Sequence, residues 1–170
     1  MAARSQKDNP ADALPSGAGC KFGIVVSDWN RTITDKLFEG CKQTLLAAEV
    51  AEDDIHVIRV PGSFELPMGA KLLLARQKVD AIVCIGCVIK GETRHDEYIS
   101  QSVANGIMQL SLFSNTPIIF GVLTPNCQEQ AEERAGGKHG HKGVEAAEAA
   151  LRMSALKKEA GRAAHKIGFS

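Results

Sequence analysis

The sequence predicts an α/β protein in which helices cover both faces of a small parallel sheet. Short apolar runs rich in Val and Ile alternate with longer segments whose apolar residues recur every three or four positions. Residues 80–89 (DAIVCIGCVI) are apolar almost throughout, as in a strand buried on both faces. Because crossovers between parallel strands are right-handed, this alternation gives a doubly wound sandwich.

Four segments have the length and composition of strands. They are residues 21–27, 54–60, 80–89 and 117–123. The second is followed by Pro61 and Gly62, which favour a turn. Four parallel strands make a small sheet, which favours association with neighbouring subunits.

Three of the helices alternate with these strands. In residues 33–49 the apolar side chains of Leu37, Cys41 and Leu45 recur every four positions. Residues 64–77 follow, with Ser63 expected as the N-cap and Pro67 near the start. Residues 94–113 carry an apolar face made by Ile99, Val103, Ile107 and Leu110.

Two further helices are expected after the fourth strand. Asn126 and Glu129 have the spacing of a capping box, which predicts a short helix ending near Ala135. The last helix is amphipathic and covers residues 143–159. We expect one domain over residues 20–160, with a flexible arm over 1–19 and a C-terminal tail over 161–170.

The charge balance excludes some classes of function. The chain has 170 residues, with 20 Lys+Arg against 20 Asp+Glu. Proteins that bind nucleic acid non-specifically usually carry a basic excess, and polybasic membrane binders do as well. We therefore expect neither nucleic acid nor a membrane as a partner. No apolar run approaches the roughly 20 residues of a membrane span, and residues 1–19 lack the apolar core of a secretory signal.

The five cysteines favour a cytoplasmic location. Cys41, Cys84 and Cys87 lie in periodic or apolar segments, where free buried thiols are expected rather than disulfides. Cys84 and Cys87 also form a C-x-x-C motif, but inside a strand and without a second pair. We interpret them as core residues, so the motif predicts neither a zinc site nor a redox site.

Ligands of open parallel sheets bind beyond the carboxyl ends of the strands. The first exit carries Trp29, the single tryptophan, whose indole can stack on a planar heterocycle. A place in the core or in an interface is the alternative for this side chain.

The third exit resembles a phosphate-binding loop without its lysine. Residues 86–93 have the spacing of a P-loop, but Glu92 stands where the lysine should be, which argues against an NTPase. Backbone N–H groups at Gly91–Thr93 could still hold one phosphate at the start of the helix. The alternative is that Thr93 and Asp96 form only a capping box.

His95 lies in the first turn of that helix. The positive end of the helix dipole favours a neutral imidazole, which can take up and return a proton near pH 7. A purely structural histidine is the alternative.

A cationic cluster surrounds a Gly-rich turn farther along the chain. Arg134 suits bidentate contact with phosphate, and cations at a helix end are also a common structural feature. His139 and His141 lack a further ligand at a recognisable spacing, so no metal site is predicted. The cluster consists of Arg134, Lys138, His139, His141 and Lys142.

Several segments together resemble the lumazine synthase family of riboflavin biosynthesis. The resemblance covers roughly residues 20–156. Its longest motifs are GCVIKGETRHDEYIS (86–100) and PIIFGVLTPNCQEQAEERAGG (117–137), with VPGSFELP (60–67), HKGVEAA (141–147) and Trp29-Asn30 in addition. The residue after the family histidine is usually aromatic or apolar, and here it is Asp96.

The resemblance implies a flavodoxin-like three-layer sandwich, with pentamers as the basic assembly. It implies two substrates, 5-amino-6-(D-ribitylamino)uracil and 3,4-dihydroxy-2-butanone 4-phosphate, and no cofactor. Pentamers, decamers and sixty-subunit shells all occur in the family, and the short turn at residues 136–140 resembles members that form shells. Enzymatic alternatives include the related archaeal type of riboflavin synthase. A flavin- or lumazine-binding protein and a scaffold are the non-enzymatic ones.

The resemblance also implies roles for individual residues. Trp29 stacks on the pyrimidine, and His95 transfers protons. The ribitylaminouracil would further contact Ser63, Phe64, Glu65, Cys87, Val88, Ile89, Phe120 and Lys142. The butanone phosphate would contact Glu92, Thr93 and Arg134. By the same resemblance Phe120, Arg134 and Lys142 come from the adjacent subunit, which explains why Phe120 lies inside a strand rather than at its exit.

Overall fold

Four strands form the predicted parallel sheet in this computed structural model, which describes residues 13–167, the last five by their backbone only. The strands are β1 (Phe22–Ser27), β2 (Ile55–Val60), β3 (Ala81–Cys87) and β4 (Ile118–Leu123). Their order across the sheet is β2-β1-β3-β4, and each neighbouring pair is parallel. The expectation of a small parallel sheet is thus confirmed.

Five helices connect and cover the strands. They are α1 (Arg31–Ala47), α2 (Leu66–Arg76), α3 (His95–Ser114), α4 (Gln128–Glu133) and α5 (Lys142–Ile167). The first four agree with the predicted helices to within about two residues at most ends. The last is longer than the predicted 143–159.

A two-stranded antiparallel hairpin, which the sequence did not predict, precedes α5. Its strands are β5 (Ala135–Gly137) and β6 (Gly140–His141). Gly136 and Gly140 have positive φ angles of 103° and 89°, a conformation that glycine adopts without steric cost. The Gly-rich turn is therefore part of a hydrogen-bonded hairpin.

Two apolar cores lie on opposite faces of the sheet. One includes residues of α1 and α5, and the other includes residues of α2 and α3. Every residue of β3 is buried, as its unbroken apolar sequence predicts. Cys84 belongs to the core beside α2 and α3, whereas Cys87 belongs to the core beside α1 and α5. Because their side chains leave opposite faces, the C-x-x-C motif is not a thiol pair.

Three predicted capping arrangements are absent. Ser63 is not an N-cap: it lies in a 3₁₀ turn before α2, and its buried Oγ faces Gly86 instead. Thr93 does not cap α3. The N-cap residue is Arg94, and its side chain forms no capping hydrogen bond in the described part of the chain. Before α4, the backbone N–H of Asn126 donates to Oε1 of Gln130 at 2.8 Å. The predicted capping box named Glu129 as the acceptor of this bond, and that prediction is wrong.

Residues 16 and 17, within the expected N-terminal arm, contact the folded domain. The first 12 residues of the arm expected over 1–19 lie outside the described residues, as do residues 168–170 of the expected tail. The N–H of Gly17 donates to the carbonyl of Ala48 at 2.6 Å, and Ser16 Oγ donates to Glu49. Residues 16 and 17 are thus attached to the end of α1.

The strand order places a ligand crevice at one point of the sheet. From β1 the chain passes to β2 on one side, and it then crosses back to β3 on the other side of β1. The crossovers that follow β1 and β3 therefore diverge, which leaves an opening beyond their carboxyl ends. Of the helices within residues 13–167, none is long and apolar enough to cross a membrane.

Candidate active site

A cleft of about 480 Å³ opens at this crevice. Most of its lining comes from the loops that follow β1, β2 and β3 and from the first turn of α3. Its lining residues are Trp29, Asn30, Gly62, Ser63, Phe64, Cys87, Val88, Ile89, Gly91, Thr93, His95, Asp96 and Ile99. Eight of the thirteen predicted site residues are among them.

Asn30 joins two sides of the cleft. It has left-handed backbone angles, φ 58° and ψ 46°, which asparagine tolerates better than most residues. Its side-chain Nδ2 donates a hydrogen bond to the carbonyl of Cys87 at 2.9 Å, and its own carbonyl accepts from the first turn of α1. No role was predicted for Asn30, although an asparagine directly after a strand is typical of a left-handed turn.

Two exposed aromatic side chains flank the cleft. Trp29 is 70% exposed and Phe64 is 56% exposed. An indole left this far in water lies outside the core, so the alternative of a core tryptophan is wrong. Both side chains are available for stacking on a planar ligand.

The backbone at the end of β3 offers a limited set of polar groups. The carbonyl of Cys87 is taken by Asn30, and the N–H of Val88 donates to Leu123 at 2.8 Å. Within the described residues, the N–H of Ile89 and the carbonyls of Val88 and Ile89 have no hydrogen-bond partner. Burial raises the pKa of the Cys87 thiol to about 11, so this thiol stays neutral and is no nucleophile.

Ser63 brings one more polar group to the cleft wall. Its Oγ is buried and has no hydrogen-bond partner among residues 13–162, whose side chains the structure describes. A Cβ at Gly86 would lie 2.6 Å from this oxygen, so the absence of a side chain at Gly86 leaves room for the hydroxyl. A buried hydroxyl without a partner costs free energy unless a ligand supplies one.

His95 is the first residue of α3, and its exposed side chain lines the cleft with Thr93. In the part of the chain that the structure describes, no side chain caps the N–H groups of this helical turn. Glu92 is exposed in the same loop but does not line the cleft. Glu65 does not line it either, although its carboxylate approaches Gly62, which does.

The remaining predicted site residues lie elsewhere. Phe120 is in the middle of β4 and packs against the core beside α2 and α3. Arg134 lines a second cleft of about 340 Å³, together with residues 123–125, Gln130, Glu133 and His139. Lys142 begins α5, and its N–H donates to the carbonyl of Arg134 at 2.8 Å. Of the predicted residues, eight therefore line the Trp29 cleft and Arg134 lines the second, whereas Glu65, Glu92, Phe120 and Lys142 line neither.

Arg134 is paired with carboxylate on its own chain. Its Nη1 and Nη2 each lie 2.8 Å from an oxygen of Glu145, and Nη1 also donates to the carbonyl of His139. This hydrogen bonding holds the pKa of Glu145 below its ordinary value and raises that of Arg134. Both side chains remain charged across the neutral range.

Glu133 forms two further ion pairs of this region. Its carboxylate lies 2.7 Å from Nζ of Lys138 and 3.2 Å from Nε2 of His139. In the described part of the chain, no three side chains of the His, Cys, Asp and Glu types gather as a metal site.

A cleft at the switch point of a doubly wound sheet, flanked by aromatic side chains and a helix-terminal histidine, is typical of a small-molecule enzyme of the flavodoxin-like class. Residues 19–158 match the family model of 6,7-dimethyl-8-ribityllumazine synthase. The chain belongs to this enzyme family of riboflavin biosynthesis.

Curated relatives of the same description support the assignment. The 6,7-dimethyl-8-ribityllumazine synthase of Porphyromonas gingivalis is 47% identical over 151 residues, which cover 89% of this chain and 94% of the relative. That of Cytophaga hutchinsonii is 49% identical, with 84% and 89% covered. That of Bacteroides fragilis is 49% identical, with 78% and 93% covered.

Proposed function

We propose that this chain condenses 5-amino-6-(D-ribitylamino)uracil with 3,4-dihydroxy-2-butanone 4-phosphate to give 6,7-dimethyl-8-ribityllumazine, phosphate and water. The observation that carries the proposal is the family match over residues 19–158, together with a cleft lined by eight of the residues expected at the site. The proposal further assigns the pyrimidine to the Trp29 cleft.

The pyrimidine stacks on Trp29 in this proposal. Its edge meets the free N–H of Ile89 and the free carbonyls of Val88 and Ile89, which supply one donor and two acceptors. The ribityl chain runs toward Ser63, Phe64 and Glu65, where the unpartnered Oγ of Ser63 can exchange a hydrogen bond with a sugar hydroxyl. These groups account for a ligand with one planar and one polyhydroxyl part.

The butanone phosphate lies beside Glu92 and Thr93, at the N-terminus of α3. Uncapped N–H groups and the helix dipole favour an anion there. Phe120, Lys142 and Arg134 complete the site from an adjacent subunit, with Arg134 on the phosphate. In support, none of these three residues lines the Trp29 cleft of its own chain.

The chemistry follows from holding the two substrates together. One amine of the pyrimidine attacks the ketone and gives an imine with loss of water, phosphate then leaves, and the second amine closes the ring with loss of a second water. The substrate amines are themselves the nucleophiles, so these steps call for no cofactor. Proximity is worth roughly 7–11 kcal/mol, and His95 adds about 10²–10⁴-fold as a proton shuttle.

A homo-oligomer built on pentamers is part of the proposal. Large apolar side chains on α3 are exposed in the single chain, with Phe113 86% exposed. They are Tyr98, Met108, Leu112 and Phe113. Such exposure is typical of surfaces that subunit association covers. Mass measurement in solution gives a multiple of five chains if the proposal holds.

A cytoplasmic location is also proposed. The five cysteines are free thiols, and four of them are buried, as expected for a reducing compartment. Cell fractionation tests this point, and recovery with secreted proteins would contradict it.

The reaction is tested by mixing the purified protein with both substrates and recording lumazine fluorescence. We expect product only when both substrates are present. A second arm supplies the lumazine alone, and riboflavin formed there would indicate a riboflavin synthase instead. Tight ligand binding without turnover would indicate a binding protein.

A further inference from the structure

The side chain of Arg134 keeps one edge free. A guanidinium has five N–H groups, one on Nε and two on each Nη. The two on Nη1 serve Glu145 and the carbonyl of His139, and one on Nη2 serves the second oxygen of Glu145. Within the described residues, the N–H of Nε and the second N–H of Nη2 have no partner. These two groups point along the same edge of the planar group and form a bidentate donor pair.

The backbone of Arg134 is also fixed. Its carbonyl accepts from the N–H of Lys142 at 2.8 Å, and its N–H donates to the carbonyl of Ala131 at 3.2 Å. The next residue, Ala135, pairs with His141 in the hairpin. Both ends of the side chain are thus held, the backbone by α4 and the hairpin and the guanidinium by Glu145.

We propose that Glu145 is a positioning residue, which holds Arg134 so that its free edge stays available to the phosphate group of the butanone phosphate. This inference rests on the proposed role of Arg134 on the phosphate group of the substrate. Glu145 itself need not touch the substrate. Because carboxylate and phosphate use different edges of the guanidinium, both can be bound at once, and binding displaces no ion pair.

Orientation is what the carboxylate supplies. An arginine side chain without a partner samples many rotamers, and ordering it on binding costs free energy. With both oxygens of Glu145 at 2.8 Å, this cost is met when the chain folds. Glu145 also lies 3.6 Å from Nζ of Lys142, so the test must distinguish an effect of Glu145 on Arg134 from an effect on Lys142.

The test compares Glu145→Gln and Glu145→Asp with the control Glu148→Gln. Glu148 lies about one turn after Glu145 in α5 and is not a partner of Arg134. Gln keeps the shape but loses one acceptor and the charge, and Asp keeps the charge but shortens the reach. Because both disturb the bidentate pair, we expect each to raise KM for the butanone phosphate about tenfold. In the two Glu145 variants the inhibition constant of inorganic phosphate rises in parallel, while KM for the ribitylaminouracil stays within about twofold of that of the unaltered protein. In Glu148→Gln all three constants stay within about twofold.

A double variant tests whether Glu145 acts through Arg134. In the Arg134→Ala background, Glu145→Gln adds no further change in KM if the inference is correct. A lower KM in Glu145→Gln would identify Glu145 as a competing counter-ion and overturn it. A rise in KM for the ribitylaminouracil instead would assign the effect to Lys142 and overturn it too.

The same variants separate this inference from the proposed function. If Arg134→Ala raises KM for the butanone phosphate and the Glu145 variants do not, only the positioning role fails. If Arg134→Ala has no effect on that KM, the phosphate role of Arg134 fails and the inference falls with it. Lumazine formation by the unaltered protein tests the reaction itself and does not depend on either result.

Discussion

Asn30 and Cys87 are joined by a hydrogen bond across 57 residues of sequence, from the side-chain Nδ2 of the first to the carbonyl of the second, at 2.9 Å. The bond connects the carboxyl ends of β1 and β3, on either side of the crevice where the crossovers diverge. It also fixes the residue next to Trp29. The N–H of Trp29 itself donates to the carbonyl of Pro61 at 3.1 Å, so the turn that carries the indole is held both at the end of β3 and in the loop after β2.

Substitution of Asn30 separates its two contributions. Asn30→Ala loses the hydrogen bond, worth about 0.5–1.5 kcal/mol, and places alanine in a left-handed conformation at a cost of about 1–2 kcal/mol. We expect its free energy of unfolding to fall by about 2–3 kcal/mol, and that of Asn30→Gly to fall by less because glycine tolerates the backbone angles. Urea denaturation at fixed protein concentration measures both. Equal losses would show that the backbone conformation contributes nothing.

Trp29 provides both a contact and a signal. Trp29→Phe keeps an aromatic face and should raise KM for the ribitylaminouracil only severalfold, whereas Trp29→Ala loses the stacking surface and should raise it roughly ten- to a hundredfold. Because Trp29 is the single tryptophan, its fluorescence reports ligand binding directly in the unaltered protein. An unchanged KM in Trp29→Ala would exclude the stacking role.

His95→Ala should slow lumazine formation about 10²–10⁴-fold without abolishing it, because the proposed proximity effect remains. Steady-state kinetics at saturating substrates measure the change in kcat. Complete loss of activity in a folded, assembled variant would contradict a mechanism in which proximity dominates.

Two glycines of α5 should respond oppositely to alanine. At Gly143 a Cβ would lie 1.9 Å from the carbonyl oxygen of Leu37 in α1, and backbone atoms cannot move aside easily. Gly143→Ala should therefore cost about 1–3 kcal/mol or more. At Gly161 no described atom lies within 4 Å of the added Cβ, so Gly161→Ala should gain about 0.5–1 kcal/mol from helix propensity. Thermal unfolding of the two variants is the measurement, and a stabilised Gly143→Ala would contradict the close approach of α1 and α5.

The ion pair of Asp28 predicts a dependence of stability on pH. Nε of Arg59 lies 2.7 Å from Oδ1 of Asp28, and this hydrogen bond holds the pKa of Asp28 below its ordinary value of 3.8. The stabilising contribution is present above pH 3.8 and is lost as the pH falls through the lowered pKa of the folded state. Asp28→Asn should thus flatten the loss of stability below that pH, as measured by urea unfolding between pH 2 and 5.

The control for this experiment is Asp53→Asn. Asp53 is exposed, and within the described residues it forms no ion pair. Its replacement should leave the slope of stability against pH unchanged. An equal flattening in both variants would mean that the ion pair with Arg59 contributes nothing specific.

The sequence was sufficient for the sheet and most of the helices. Apolar runs such as residues 80–89 and the four-residue spacing from Leu37 to Leu45 are local signals, so strands and helices could be placed to within a few residues. The β5–β6 hairpin was missed because strands of two and three residues, built from Ala, Gly and His, show no apolar alternation. The prediction that Ser63 caps α2 was wrong because a 3₁₀ turn containing Ser63 precedes the helix. The contact of its Oγ with Gly86 could not be predicted, since Gly86 is distant in sequence.

Only part of the candidate site could be predicted from local features of the sequence. Trp29 and the loop before His95 could be predicted because both follow strands, and the carboxyl ends of parallel strands share one edge. The cationic cluster indicated a possible phosphate contact for Arg134, but the roles of Phe120 and Lys142, and the placing of all three residues in a shared site, came from the family resemblance alone. The bond from Asn30 to Cys87 depends on the strand order, which one sequence did not provide.

The walls of the cleft come from the crossovers after β1, β2 and β3, so no two consecutive elements could form it alone. A molecule bound there would hold three connections at once and would act as a removable cross-link of the sheet. At a hundred times its dissociation constant, such a ligand adds about 2.7 kcal/mol to the free energy of unfolding. Partly folded chains, whose exits have not yet met, would be unable to take up substrate, so catalysis should appear only with the last step of folding.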